Sequence, residues 1–150
     1  MRVQTAGRSG LGLGNFRSLA WYRYRMRCFL RFTEKVARSC GVTPQQHQLL
    51  LGVAGYTGRG WATISELSEF LQARHNAVVG LVQRAEARGL VRKAPGRRDR
   101  RVVKVLLTTR GLALLNRIST ANLPEFRKLQ MELMRDSAGS PRNLPAAQGA

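Results

Sequence analysis

Two clusters of side chains in this sequence are of the types that meet a nucleic acid. Arg97, Arg98, Arg100 and Arg101 crowd around a single acid, Asp99, directly after a Pro95-Gly96 turn signal. Earlier in the chain Arg74, His75, Asn76 and Ala77 stand together, with Gly80, Gln83 and Arg84 following at helical spacing. Asparagine pairs bidentately with adenine and arginine with guanine. Ala77 and Gly80 are small enough to allow a close approach to a base edge, and Arg84 suits either a phosphate or an internal ion pair. A narrow A·T-rich minor groove has an enhanced negative potential that accepts an inserted arginine. An acid among four arginines facing phosphates is unfavourable unless it has an internal partner, so Asp99 is expected to have one.

Other chemistries lack their parts. The only histidines are His47 and His75 and the only cysteines Cys28 and Cys40. These do not fall at a spacing that assembles the four ligands of a structural zinc site. No glycine-rich phosphate loop follows a strand, no nucleophile stands with a base, and eight acids offer no acid/base pair. Neither an enzyme nor a cofactor is expected. The two cysteines lie about 18 Å apart along one predicted helix, too far to bridge within it, and read as reduced thiols of a cytoplasmic protein.

Charge narrows the partner further. The chain of 150 residues carries 26 Lys+Arg against 8 Asp+Glu, a formal +18. The excess is not a tail: it is +8 over residues 1–40, +8 over 41–111 and +2 over 112–150. A basic, ordered middle is the electrostatic footprint of a polyanion-binding face, with nucleic acid the first candidate and an anionic membrane surface the second. No apolar run is long enough to span a membrane, and the first 15 residues lack the apolar block of a secretory signal.

The elements that must position these clusters follow from periodicity. Apolar residues from Leu19 to Cys40 recur at three and four, giving a long amphipathic helix over 16–40. Arg23, Arg27, Arg31 and Lys35 form a basic stripe on another face of it, and Gly41 stops it. Thr43-Pro44 opens a second helix with Leu49, Leu50, Val53 and Ala54 on its apolar face. A loop over 55–60 and a short extended stretch over 61–64 follow. Ser65 is expected to cap a short helix, and a turn at Gln72-Ala73 leads to a helix over 74–88 with Val78, Leu81, Val82 and Ala85 inward. Gly89 closes that helix. Two β-rich runs, 90–94 and 101–107, flank the Pro95-Gly96 turn as a hairpin. Thr108 caps a last helical region over 109–135 that Pro124 is expected to break or kink. Two helices at a tight turn with a hairpin behind the second make a winged helix-turn-helix.

The stretch 67–93 (LSEFLQARHNAVVGLVQRAEARGLVRK) followed by 99–111 (DRRVVKVLLTTRG) resembles the MarR family of transcription regulators. The resemblance rests on Leu67 and Leu71, then Arg84, Gly89, Leu90 and Val91, then Asp99 and Arg101, then Leu107, Thr108 and Gly111. It departs at Ala85, where a larger residue is usual, and at Arg110, where an acid is common. It implies a mainly α fold with a small β-hairpin wing and flanking dimerisation helices. It further implies a sequence-specific regulator of double-stranded DNA, a repressor released by a small-molecule effector in the dimer cleft. Recognition would fall on Ser65, Arg74, His75, Asn76, Ala77, Gln83 and Arg84, with Arg97, Arg98, Asp99 and Arg101 on the wing. Arg101 would enter the minor groove, held by Asp99.

The expected organisation is therefore a disordered arm over 1–15, a domain over 16–136 and a disordered tail over 137–150. Within the domain, helices near 16–40 and 109–135 dimerise, and 41–108 bind DNA. Two recognition helices would then meet a pseudo-palindrome in successive major grooves, about 34–36 Å apart. The alternative from another class is a general basic RNA-binding or ribosome-associated module, resting on charge alone.

Overall fold

The computed structural model describes residues 12–136. In chain order the elements are α1 (Leu13–Ser39), α2 (Pro44–Leu51), β1 (Trp61–Thr63), α3 (Ile64–Leu71), α4 (His75–Ala87), β2 (Val91–Pro95), β3 (Val103–Leu107) and α5 (Thr109–Asp136). A π-helical turn, Gly52–Tyr56, extends α2 into what the sequence suggested was loop. The three strands form one antiparallel sheet in the order β1-β3-β2. By internal contacts the described residues divide into two compact units: Phe32–Leu123, and 12–31 together with 124–136.

The larger unit is built around one aliphatic core. Leu49, Leu50 and Val53 from α2 and its extension meet Leu67 of α3, Val78 and Val82 of α4, Val91 and Val105 of the sheet, and Ile118 of α5, all essentially inaccessible to water. Burying such a side chain is worth about 1.5–3 kcal/mol, so this cluster is what fixes α3, α4 and the sheet against one another. On α4 the buried residues are Val78, Leu81, Val82 and Ala85, the three-and-four spacing of one helix face. The opposite face is left to solvent.

Helix ends decide the register of the unit. α1 and α4 both stop in the same way: Gly41 and Gly89 take positive φ, with Val42 N–H bonded to Ala37 O and Leu90 N–H bonded to Ala85 O. The paired residues Val42/Ala37 and Leu90/Ala85 are all buried, the apolar contact that accompanies this Schellman ending. A small residue at Ala85 fits this close turn. Thr43 caps α2, as Thr43-Pro44 predicted, and does so in a capping box with Gln46. Arg88, the residue after α4, donates to Gln46 Oε1 at 2.6 Å and to Gly41 O at 2.7 Å, tying the end of α4 to the α1–α2 turn.

Four expectations are corrected. Ser65 does not cap α3; Thr63 does, because Thr63 and Glu66 stand three apart and satisfy each other's backbone N–H groups, leaving Ser65 inside the first turn. α1 begins at Leu13, three residues into the segment expected as arm, because adding a turn to a formed helix is far easier than nucleating one. The rest of that arm, residues 1–11, and the tail 137–150 lie outside the described residues. α5 runs through Pro124 without the break that the proline allowed for; the ring removes the hydrogen bond that residue 124 would have donated to the Thr120 carbonyl. Arg101 is not in a strand, since β3 starts at Val103.

In the smaller unit Arg25 is buried to 8% exposure on α1 and pairs with Glu132 and, at 3.5 Å, with Glu125 of α5. Burial alone would disfavour its charge, and the Glu132 bond and the two carboxylates more than offset that, so its pKa is raised. Phe29 and Phe126 pack with ring centroids 6.2 Å apart, and Leu129 is buried. Outside these contacts the unit is strongly apolar on its surface: Phe16, Leu19, Tyr22, Leu30, Phe126 and Met131 all remain exposed.

His47 gives the fold a pH dependence. It is 4% exposed on α2, and burial pushes its imidazole below the ordinary value of about 6.5. The unfolded chain therefore takes up this proton first as pH falls. Stability is full above about pH 6.5 and declines below it, down to the folded pKa. Urea unfolding at pH 7.5 and 5.5 should show that loss in the native protein and a flatter profile in His47→Gln. Parallel profiles would show that the imidazole carries no linkage.

Candidate nucleic-acid interface

The helix-turn-helix is α3, the turn Gln72–Arg74, and α4. Gln72 makes the turn in the left-handed region, at φ 48, a conformation that costs a non-glycine residue about 1–2 kcal/mol. Its side-chain Nε2 donates to Glu69 O at 2.7 Å and to Glu69 Oε1 at 3.1 Å, which helps hold it there. Arg74 is extended and is the N-cap residue of α4, so its side chain leaves from the mouth of the helix rather than from its flank. His75, Asn76, Ala77, Gln83 and Arg84 are all exposed. At 100° per residue Asn76, Gly80 and Gln83 lie on one stripe directly opposite Val78, Leu81, Val82 and Ala85. Arg84 lies to one side of that stripe, with Nη1 only 3.2 Å from where a side chain on Gly80 would begin. Among the described residues it forms no ion pair, which removes the internal reading considered for it.

The hairpin tip is more ordered than its charge suggests. Gly96 N–H donates to Val102 O at 2.7 Å, and Val102 N–H donates to Asp99 O at 3.1 Å. Within that turn the Asp99 carboxylate accepts the backbone N–H of Arg101 at 2.9 Å. This is the β-turn chemistry of an aspartate at the first position. Asp99 thus has its internal partner, and the partner is the peptide of Arg101 rather than its guanidinium. Gly96 is required beneath it, because a Cβ there would stand 2.5 Å from Asp99 O. Arg97, Arg98, Arg100 and Arg101 are all exposed around this frame.

The two clusters are joined at the wing root. Ser65 of α3, His75 of α4 and Arg101 to Val103 of the hairpin line one concave groove of about 370 Å³, floored by Thr63 and Ile64. A second hollow, of about 420 Å³, lies at the α3–α4 turn between Ser65, Ser68, Gln72, Arg74 and His75. Ser65, wrongly expected as a cap, therefore stands beside His75 and Arg101. β1 is anchored by Trp61, whose ring carries Arg59 at 3.8 Å and Lys104 at 4.1 Å from its centroid, while Arg59 also pairs with Glu66. The Thr63 backbone N–H, with Arg59 adding to it, holds the Glu66 carboxyl below its ordinary range. Pattern reading missed this cluster, since nothing in the spacing of Arg59, Trp61 and Lys104 shows that β1 pairs with β3.

Two helices at a tight turn, the second with a buried apolar face and an exposed polar one, backed by a basic hairpin, define a winged helix-turn-helix fold. Residues 41–102 match the MarR family by sequence. That match takes in α2, the helix-turn-helix and the hairpin as far as its tip. No curated protein matches the chain in sequence. Among solved structures it is similar to AbsC, a MarR family transcriptional regulator from Streptomyces coelicolor, with 19% identity, TM-score 0.70, and 89% of this chain and 95% of that one covered. A mutant MarR from E. coli complexed with operator DNA gives 18%, 0.62, 87% and 100%. BpsR of Bordetella bronchiseptica, whose DNA binding is regulated by 6-hydroxynicotinic acid, gives 17%, 0.59, 89% and 99%. At these identities the likeness is one of fold. Among the described residues no helix is long and apolar enough to cross a membrane.

Proposed function

We propose that the protein is a cytoplasmic homodimeric repressor that reads a pseudo-palindromic operator, with α4 in the major groove and the wing in the flanking minor groove. The observation that carries this reading is the shared groove of Ser65, His75 and Arg101, which aligns the start of α4 with the wing. In this reading Asn76 and Gln83 face base edges, Ala77 and Gly80 allow close approach, and His75 and Arg74 reach bases or backbone at the helix mouth. Ser65, Arg84, Arg97 and Arg98 contact phosphates. Replacing Asn76 or His75 by alanine should cost about 1–3 kcal/mol of discrimination at the operator and leave binding to random duplex nearly unchanged. Fluorescence anisotropy on both duplexes measures it; equal losses on the two would mean that these side chains touch only backbone.

Dimerisation is supported by the smaller unit, whose exposed Phe16, Leu19, Tyr22, Leu30, Phe126 and Met131 are more apolar surface than a monomer normally leaves in water. Light scattering at micromolar concentration should give twice the 16.7 kDa chain mass, and a clean monomer would refute the pairing. A small-molecule effector entering the dimer cleft and releasing DNA completes the reading. It is supported by the ligand named for BpsR, and a shift of operator affinity in a panel of small aromatic acids tests it.

A further inference from the structure

The basic stripe of α1 is used by neither the core nor the recognition surface. Arg23, Arg27 and Arg31 are all exposed and stand four residues apart, a guanidinium roughly every 6 Å along the helix. None of them forms an ion pair among the described residues. Like charges at this spacing oppose each other on a helix, so the row is a local cost that folding does not recover.

The acids that could offset it are engaged elsewhere. In the same unit Glu125 and Glu132 both turn to the buried Arg25. Glu34 pairs with Arg38, Glu66 with Arg59 and Glu86 with Lys93, and Asp99 is held by the Arg101 peptide. Of the acids whose side chains are described, Glu69 alone stands outside these contacts. A second copy of the chain therefore brings almost no carboxylate to neutralise the row. At 100° per residue Arg23 borders the apolar stripe of Leu19, Tyr22, Met26 and Leu30, and Arg27 and Arg31 turn progressively away from it, so pairing through that stripe leaves the row along its rim.

We infer that Arg23, Arg27 and Arg31 form a second phosphate-binding surface, which holds the sugar–phosphate backbone of a DNA segment other than the one read by α4 and the wing. A row of evenly spaced cations matches a polymer of evenly spaced anions better than it matches the irregular charge of a folded acidic protein. Arginine gives each phosphate a bidentate partner. The inference rests on the protein being a DNA binder and not on which side chains read the operator.

The test uses the full chain saturated with unlabelled operator duplex, followed by a fluorescent random-sequence duplex whose anisotropy is read between 50 and 200 mM salt. The native protein should capture the second duplex with a Kd of about 10⁻⁶–10⁻⁴ M at physiological salt. The triple variant Arg23→Gln, Arg27→Gln, Arg31→Gln should lose that capture and lower the slope of log affinity against log salt by about 0.9 for each phosphate contact removed. Its operator affinity should stay within about twofold, since 1.4 kcal/mol is tenfold and no operator contact is lost. The corresponding triple lysine variant should keep capture, which separates charge from folding. Absence of capture by the native protein, or equal capture by the glutamine variant, overturns the inference. Displacement of the duplex by polyglutamate at equal charge concentration also overturns it, in favour of an acidic protein partner. A failure to bind operator at all would appear in the saturation step and would count against the recognition surface instead.

Discussion

Replacing Gly111 by alanine should lower the stability of the protein by about 3 kcal/mol, at the top of the range for overpacked sites, and its melting temperature by roughly 6–12 °C. The reason is local and severe. α5 begins against the end of α4, where Thr108 N–H donates to Leu90 O, and Thr108 Oγ1 donates to Gly89 O and accepts Gly111 N–H. A Cβ on residue 111 would stand 1.9 Å from Leu90 O and 2.9 Å from its carbonyl carbon. Those are backbone atoms, fixed by the Schellman turn and by β2, which starts one residue later, so no side-chain rotation relieves the clash. Thr108→Ala is the comparison. It removes a cap, worth about 1 kcal/mol, without adding an atom, and should be the milder change. Calorimetry of the two variants checks the order. A melting temperature for Gly111→Ala within about 2 °C of the native value would mean that α5 can retreat from α4 at little cost.

Arg101→Ala should weaken operator binding roughly ten- to hundredfold, because a hydrogen bond from a charged group is worth about 1.5–3 kcal/mol. It should also lower the salt slope if the guanidinium neutralises phosphate. Asp99 provides the sharper comparison. Its carboxylate accepts the Arg101 N–H within the turn, and Gly96 lies packed beneath. Asp99→Ala frees that turn, and re-ordering the arginine costs on the order of 1–2 kcal/mol, so binding should weaken about five- to thirtyfold. Asp99→Asn keeps an acceptor oxygen at the same place without the charge and should bind at least as well as the native protein. If Asp99 were merely an acid near phosphates, alanine and asparagine would behave alike and both would tighten binding. Titration at two salt concentrations separates these outcomes, and tighter binding by the alanine variant at both would exclude the positioning role.

What the sequence made legible was whatever a local pattern fixes. The inward face of α4 was readable because Val78, Leu81, Val82 and Ala85 follow the helical period. The stops at Gly41 and Gly89 were readable because a positive φ selects glycine. The cap at Thr43 was readable because Pro44 follows it. Ser65 was misread because three hydroxyl-bearing residues, Thr63, Ser65 and Ser68, crowd one helix start, and only the Glu66 reply to Thr63 decides among them. Pro124 misled only as to a break: one lost hydrogen bond inside a 28-residue helix leaves the helix continuous on both sides of it. Contacts between distant segments were not legible at all. Arg88 reaching Gln46, Arg25 drawing in Glu125 and Glu132, and Lys104 stacking on Trp61 each depend on packing that no spacing encodes. The wing lay between these cases. Its turn and its charge were visible, but that Asp99 holds a peptide N–H and not a guanidinium was not.

The central claim is that α4 and the wing of a two-fold dimer read a specific duplex. It is tested most directly by selecting bound duplexes from a random library with the full chain at physiological salt. The account predicts enrichment of one pseudo-palindrome whose half-sites are centred about one helical turn apart, roughly 10–10.5 base pairs, with A·T-rich flanks under the wings. Recovery of sequences no different from the starting library would contradict it and leave a basic protein that holds nucleic acid by charge alone.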